Sequence, residues 1–70
     1  MSDLAWVEID QNSWGADMDG IGLMVSKRPD TGEWAFAVTF PDGREIFSRH
    51  PYLTRQTAQA AAERAVVRDA

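Results

Sequence analysis

The chain has 70 residues, no cysteine and one histidine, and its formal net charge is −4 at pH 7. This composition excludes disulfides, thiolate zinc sites and multi-histidine metal sites, and the negative charge disfavours general binding to nucleic acids or membranes. The length predicts a single domain, 1–70, that hides only about 60% of the surface its unfolded chain exposes. Because such small cores often gain stability by association, self-association is the first functional expectation.

The sequence predicts neither a signal peptide nor a membrane-spanning helix. It has no basic start followed by an apolar run, and no apolar segment approaches the roughly 20 residues that a membrane helix needs. We therefore expect no signal peptide and no membrane contact, and the lack of cysteine favours the cytoplasm.

The first 20 residues form an N-terminal strand and loop segment in our prediction. Residues 4–9 favour a strand because Trp6, Val7 and Ile9 are aromatic or β-branched. Residues 10–20 are polar and contain glycine, so we predict a loop that holds Trp14 and Met18.

Residues 21–49 predict a β-meander with strands at about 21–27, 33–40 and 44–49. Apolar and smaller residues alternate along the first two of these segments, which is the period of a strand. Residues 28–32 and Pro41-Asp42-Gly43 supply the two turns. The second turn predicts that Val38 faces Ile46 and that Ala37 faces Phe47.

A helix is predicted over residues 54–68. Thr54 is a good N-cap, and Leu53 with Ala58 has the spacing of a hydrophobic staple. A single apolar stripe of small side chains follows at helical spacing, which lets the helix lie close to a sheet. The stripe consists of Ala58, Ala61, Ala62, Ala65 and Val66.

These elements predict an α+β fold, a three- to four-stranded antiparallel meander with one C-terminal helix packed on one face. The helix is expected on the side of Trp34, Phe36 and Val38, so the reverse side needs its own cover. Either the N-terminal segment or a partner, such as a second copy of the chain, could provide it. The candidate interface residues are Met24, Ala35, Ala37, Phe47 and Arg49, with Trp6 and Trp14 from the N-terminal segment.

No catalytic, metal or cofactor site is predicted, and we do not expect an enzyme. His50 has no serine, cysteine or carboxylate at the spacing of a catalytic triad. The acidic residues from Asp10 to Gly20 fail the calcium-loop pattern, because Trp14 stands where an oxygen ligand is needed.

One set of residues follows a recognisable pattern along the meander and the start of the helix. The set is Gly32-Glu33-Trp34-Ala35-Phe36, Pro41-Asp42-Gly43-Arg44-Glu45-Ile46, Ser48, Tyr52, Thr54 and Ala58. With these residues the chain resembles the YegP-like family of small strand-strand-strand-helix domains, over about residues 21–68. The resemblance implies this fold, and it implies that a lone unit can pair with itself, since members of the family often carry the unit in tandem.

The leading functional hypothesis is a protein–protein interaction module, a homodimer through the reverse side of the sheet. Its length and acidity also fit a small phage or prophage accessory protein that binds and modulates a host protein. The alternative is weak nucleic-acid binding, because the fold is similar to the arm-type DNA-binding domains of integrases. That alternative would use Arg44, Arg49, Arg55, Arg64 and Arg68.

Overall fold

The computed structural model describes residues 4–69, the last of them by its backbone only. Five antiparallel strands form one sheet in chain order, and a helix follows them. The α+β prediction is confirmed, but the expected three or four strands are too few. The elements are β1 (Val7–Asp10), β2 (Ser13–Met18), β3 (Ile21–Lys27), β4 (Trp34–Thr39), β5 (Glu45–Phe47) and α1 (Arg55–Asp69).

Strand β2 lies where a loop was expected, and that prediction is wrong. Trp14, Ala16 and Met18 alternate with smaller or polar residues, and β2 pairs with β3 along its whole length. Asp19 and Gly20 join the two strands with φ angles of 53° and 85°. Two successive positive φ angles are typical of the tight turns that connect hairpin strands, and Asp-Gly is a favoured pair there.

The β4–β5 hairpin has the predicted turn and register. Phe40 N donates to Arg44 O at 2.8 Å, and Gly43 N donates to Phe40 O at 3.0 Å. Gly43 has a φ of 94°, which a residue with a side chain rarely adopts. Val38 pairs with Ile46 and Ala37 pairs with Phe47, as expected.

Strand β5 is shorter than predicted because the chain bulges after it. Ser48 N still donates to Phe36 O at 3.0 Å, but the next bridge joins Trp34 to Tyr52. Residues 49–51 therefore stand opposite Ala35 alone. Pro51 has no N–H to give to a ladder, and extra residues of this kind re-aim the side chains of a strand.

Helix α1 begins at its predicted cap. Thr54 Oγ1 accepts from Thr57 N at 3.2 Å, and Thr57 Oγ1 accepts from Thr54 N at 3.4 Å. The two threonines thus satisfy each other's amides, as in a capping box. The predicted staple is wrong, because the Leu53 side chain is 86% exposed.

The core lies between α1 and one side of the sheet. All five residues of the alanine-rich stripe are buried there, against larger side chains of the strands. Small helix residues facing large sheet residues fill the layer at high density. Among the described residues, no helix is long and apolar enough to cross a membrane. The buried strand-side residues are Leu23, Val25, Phe36, Val38 and Phe40.

Candidate interaction surface

The side of the sheet away from α1, which we call the outer face, is organised in three rows that run across the strands. Register pairs join one residue from each of the five strands into a middle row. On one side of the middle row lies a row with an acidic residue at each end, on β2 and on β5. On the other side lies a row of small, uncharged residues. The middle row is Val7, Gly15, Met24, Ala37 and Phe47; the acidic row is Asp17, Gly22, Thr39 and Glu45; the neutral row is Ser13, Ser26 and Ala35.

The middle row is apolar and open to solvent. The exposed fractions are 64% for Val7, 43% for Met24 and 62% for Phe47. No polar side chain interrupts the row on any of the five strands. A contiguous apolar strip across a whole sheet differs from the scattered apolar residues of ordinary surfaces, and such strips mark contact sites.

The Ile9 side chain lies over Gly15, which has no side chain of its own, and so keeps the apolar strip continuous there. Ile9 stands at an irregularity in the β1–β2 pairing, between Glu8 and Asp10. A Cβ atom added to Gly15 would lie 3.0 Å from Ile9 Cδ1, so the Ile9 side chain covers this glycine on the outer face. Ile9 is itself 57% exposed, and it therefore adds apolar surface to the strip.

The two sides of the strip differ in charge. Asp17 and Glu45 end the acidic row on β2 and β5. Beyond Ala35, at the opposite side, Arg49 and Arg28 line a depression together with Glu33. In the sequence, an acid at 45, an aromatic ring at 47 and a guanidinium at 49 follow one another along β5 and the bulge after it.

The two N-terminal tryptophans do not belong to the outer face, which corrects their assignment to the interface. Trp6 Nε1 donates to Glu63 Oε2 of α1 at 2.9 Å. Trp14 pairs with Val25 on the helix side, and the Arg55 guanidinium lies 4.0 Å from its ring centre. Both rings therefore extend the core layer, and no other described segment covers the outer face.

Four of the predicted interface residues lie next to one another on the outer face, and a fifth lies at the edge of this group. Met24, Ala37 and Phe47 share the middle row, and Ala35 lies beside them in the neutral row. Arg49 stands in the bulge next to Ala35. Sequence reasoning missed Val7, Ile9 and Gly15, because their row exists only once β1 and β2 are paired.

Arg49 and Arg68 line one cleft, but the five arginines of the nucleic-acid alternative together do not form one continuous patch. Arg44 pairs with Asp42 at 3.0 Å in the β4–β5 turn, and Arg55 packs on Trp14 at the start of α1. Arg64 and Arg68 lie toward the end of α1, and Arg49 lies in the bulge. A phosphate-tracking surface needs its cations on one side, and this distribution does not supply it.

Comparison of the chain with protein-family models, with curated proteins and with solved structures gave no match. The YegP-like resemblance therefore stays a prediction. Among the side chains that the structure describes, no group of three or more histidine or acidic residues is placed to hold a metal ion.

Proposed function

We propose that this protein is a small interaction module that self-associates through its outer face. The observation that carries the proposal is the apolar middle row, which crosses all five strands and is uncovered by any described residue. A sheet with one helix layer leaves its second side in water, and burial of that side against another chain is favourable.

A second copy of the chain fits this surface by charge. In one arrangement of two copies, the two-fold axis runs parallel to the middle row, across the strands. This axis places the acidic row of one copy opposite the neutral row of the other. Glu45 then lies close to Arg49 of the second copy, and the symmetry gives this pair twice. An axis parallel to the strands and between β3 and β4 would instead set Asp17 against Glu45 of the second copy, and like charges at an interface are costly. The charges therefore favour the first arrangement.

The size of the outer face indicates a weak and reversible dimer. Five strands spaced about 4.8 Å apart and three rows spaced about 7 Å apart bury on the order of 1,000 Å² from two copies together. Stable interfaces bury about 1,200–2,000 Å², so this area lies at the lower limit. We expect a dissociation constant in the micromolar range or weaker.

Sedimentation velocity over a concentration series tests the proposal with Met24→Glu. Met24 lies at the centre of the middle row, on the central strand. The matched control is Val67→Glu, which places the same acid on an apolar residue that is 76% exposed on α1. We expect the wild type and the Val67→Glu variant to dimerise with rising concentration, and the Met24→Glu variant to stay monomeric with an unchanged circular dichroism spectrum.

Two results would oppose self-association. One is a wild-type chain that stays monomeric at every concentration, and the other is equal weakening by both variants. If the chain is a monomer that binds a host protein through Met24 and Phe47, it is still an interaction module, but its partner is that host protein and not a second copy.

We also propose a cytoplasmic location. The cysteine-free composition supports this expectation, and fractionation of the native host would test it.

A further inference from the structure

A cleft that borders the outer face at Phe47 opens between the 49–51 bulge and the last turn of α1. Its cavity volume is about 600 Å³. This volume lies in the range of pockets that hold small molecules. The residues that line it are Phe36, Ile46, Phe47, Arg49, His50, Tyr52 and Arg68.

Aromatic rings form one wall of the cleft. The Tyr52 ring centre lies 4.8 Å from that of His50 and 6.2 Å from that of Phe36, with interplanar angles of 47° and 38°. Two backbone hydrogen bonds with Trp34, of 2.7 and 2.8 Å, hold Tyr52 in place. The His50 Nδ1 atom lies 3.3 Å from Pro51 O.

The described side chains that line the cleft include two guanidinium groups and one imidazole, and none of the seven is a carboxylate. The full chain carries a net charge of −4. Arg49 comes from the bulge and Arg68 from α1, so two separate elements bring cations to the same space.

We propose that this cleft binds a phosphate monoester carried on a flat apolar body. A guanidinium group presents paired donors that match phosphate oxygens, and two such groups suit a doubly charged oxyanion better than a single carboxylate. The rings of Tyr52 and His50 give the flat body a surface on which to stack. Nucleotides and phosphotyrosine both have this chemistry.

Titration of the ¹⁵N-labelled full chain, followed by NMR, tests the site. The probes are adenosine 5′-monophosphate and O-phosphotyrosine, and the controls are adenosine, tyrosine and inorganic phosphate. We expect the amide shifts to concentrate at residues 46–52 and in the last turn of α1. The probe that binds more tightly identifies the flat body as a nucleobase or a phenyl ring, and either result supports the proposal.

Arg68→Gln is the diagnostic variant, and Arg64→Gln is its matched control. Both are arginines of α1, but only Arg68 lines the cleft. We expect about a tenfold loss of affinity for Arg68→Gln, the scale of one charge-assisted contact, and no change for Arg64→Gln. Four results would overturn the proposal: no shifts at the cleft, equal effects of the two variants, adenosine or tyrosine binding as tightly as its phosphate ester, or inorganic phosphate binding as tightly as the esters.

The cleft and the outer face share Phe47 and Arg49, so each is probed by a substitution that lies outside the other. Met24 lies outside the cleft lining, and Arg68 lies outside the outer face. In titrations run at a concentration where the chain is monomeric, Met24→Glu is therefore expected to leave the binding unchanged, and Arg68→Gln is expected to leave the oligomeric state unchanged.

Discussion

The indole nitrogen of Trp6 donates a 2.9 Å hydrogen bond to a carboxylate oxygen of Glu63, across 57 positions of sequence. The bond ties the chain before β1 to the middle of α1. Since Trp6 lies on the helix side, it cannot cover the outer face. The same contact that completes the core layer thus leaves the middle row exposed.

Replacement of Glu63 by alanine is expected to lower the free energy of unfolding by about 1 kcal/mol, the net value of one hydrogen bond to a charged group that is partly open to water. In a domain of this size that loss lowers the melting temperature by about 4–8 °C. Thermal unfolding followed by circular dichroism measures the change.

A double-mutant cycle with Trp6→Phe provides the control for this prediction. If the bond is responsible, Glu63→Ala costs less in the Trp6→Phe background than in the wild type, because the donor is already gone. Fully additive effects of the two substitutions would contradict the assignment.

Acid is expected to weaken the β4–β5 turn through Asp42. The backbone N–H of Arg44 donates to Asp42 Oδ1 at 3.0 Å and is the largest cause that holds the Asp42 pKa below its usual 3.8. The Arg44 guanidinium acts in the same direction. Because the folded pKa is depressed, the contribution to stability is present above the unfolded pKa and is lost as pH falls through the folded one.

The variant Asp42→Ser tests this pH dependence, because serine can accept the same turn hydrogen bond without a charge. We expect the wild type to exceed the variant in stability above about pH 4, and the difference to shrink at lower pH. The carboxylate is exposed to solvent, so the difference is small. Denaturant unfolding at several pH values measures it, and a difference that grows in acid would refute the account.

Strand β4, the second turn and α1 could be predicted because each has one strong local signal. Trp34, Phe36 and Val38 alternate, Gly43 supplies the left-handed position, and Thr54 caps the helix. Tertiary packing then agrees with the local preference in each case. The same signals predicted that the helix packs on the side of the sheet that carries Trp34, Phe36 and Val38.

Strand β2 was missed because its polar residues outweighed its period. Trp14, Ala16 and Met18 do alternate, and Asp19-Gly20 is a favoured hairpin pair, so the signal was present in the sequence. The 49–51 bulge and its cleft were not predictable in this way. They depend on Tyr52 pairing with Trp34, a contact between residues far apart in sequence.

The orientation of the two copies in the proposed dimer gives the last prediction, and the lack of cysteine makes it measurable. An axis along the middle row brings Glu45 near Arg49 of the second copy, whereas an axis along the strands brings Glu45 near Asp17. Stacked sheets lie about 10 Å apart, so a bifunctional thiol reagent with a spacer of about that length can join facing positions.

Glu45→Cys protein mixed with Arg49→Cys protein is therefore expected to form crosslinked heterodimers, and Glu45→Cys mixed with Asp17→Cys is not. Mass spectrometry separates the heterodimers by their mass. Val67→Cys, on the exposed side of α1, measures crosslinking by random collision. Preferential Glu45–Asp17 crosslinks would show that apolar packing of Met24 and Phe47 outweighs the repulsion between the acids, and the axis would then run along the strands. Crosslinking of both mixtures only at the Val67→Cys level would leave no ordered dimer on this face.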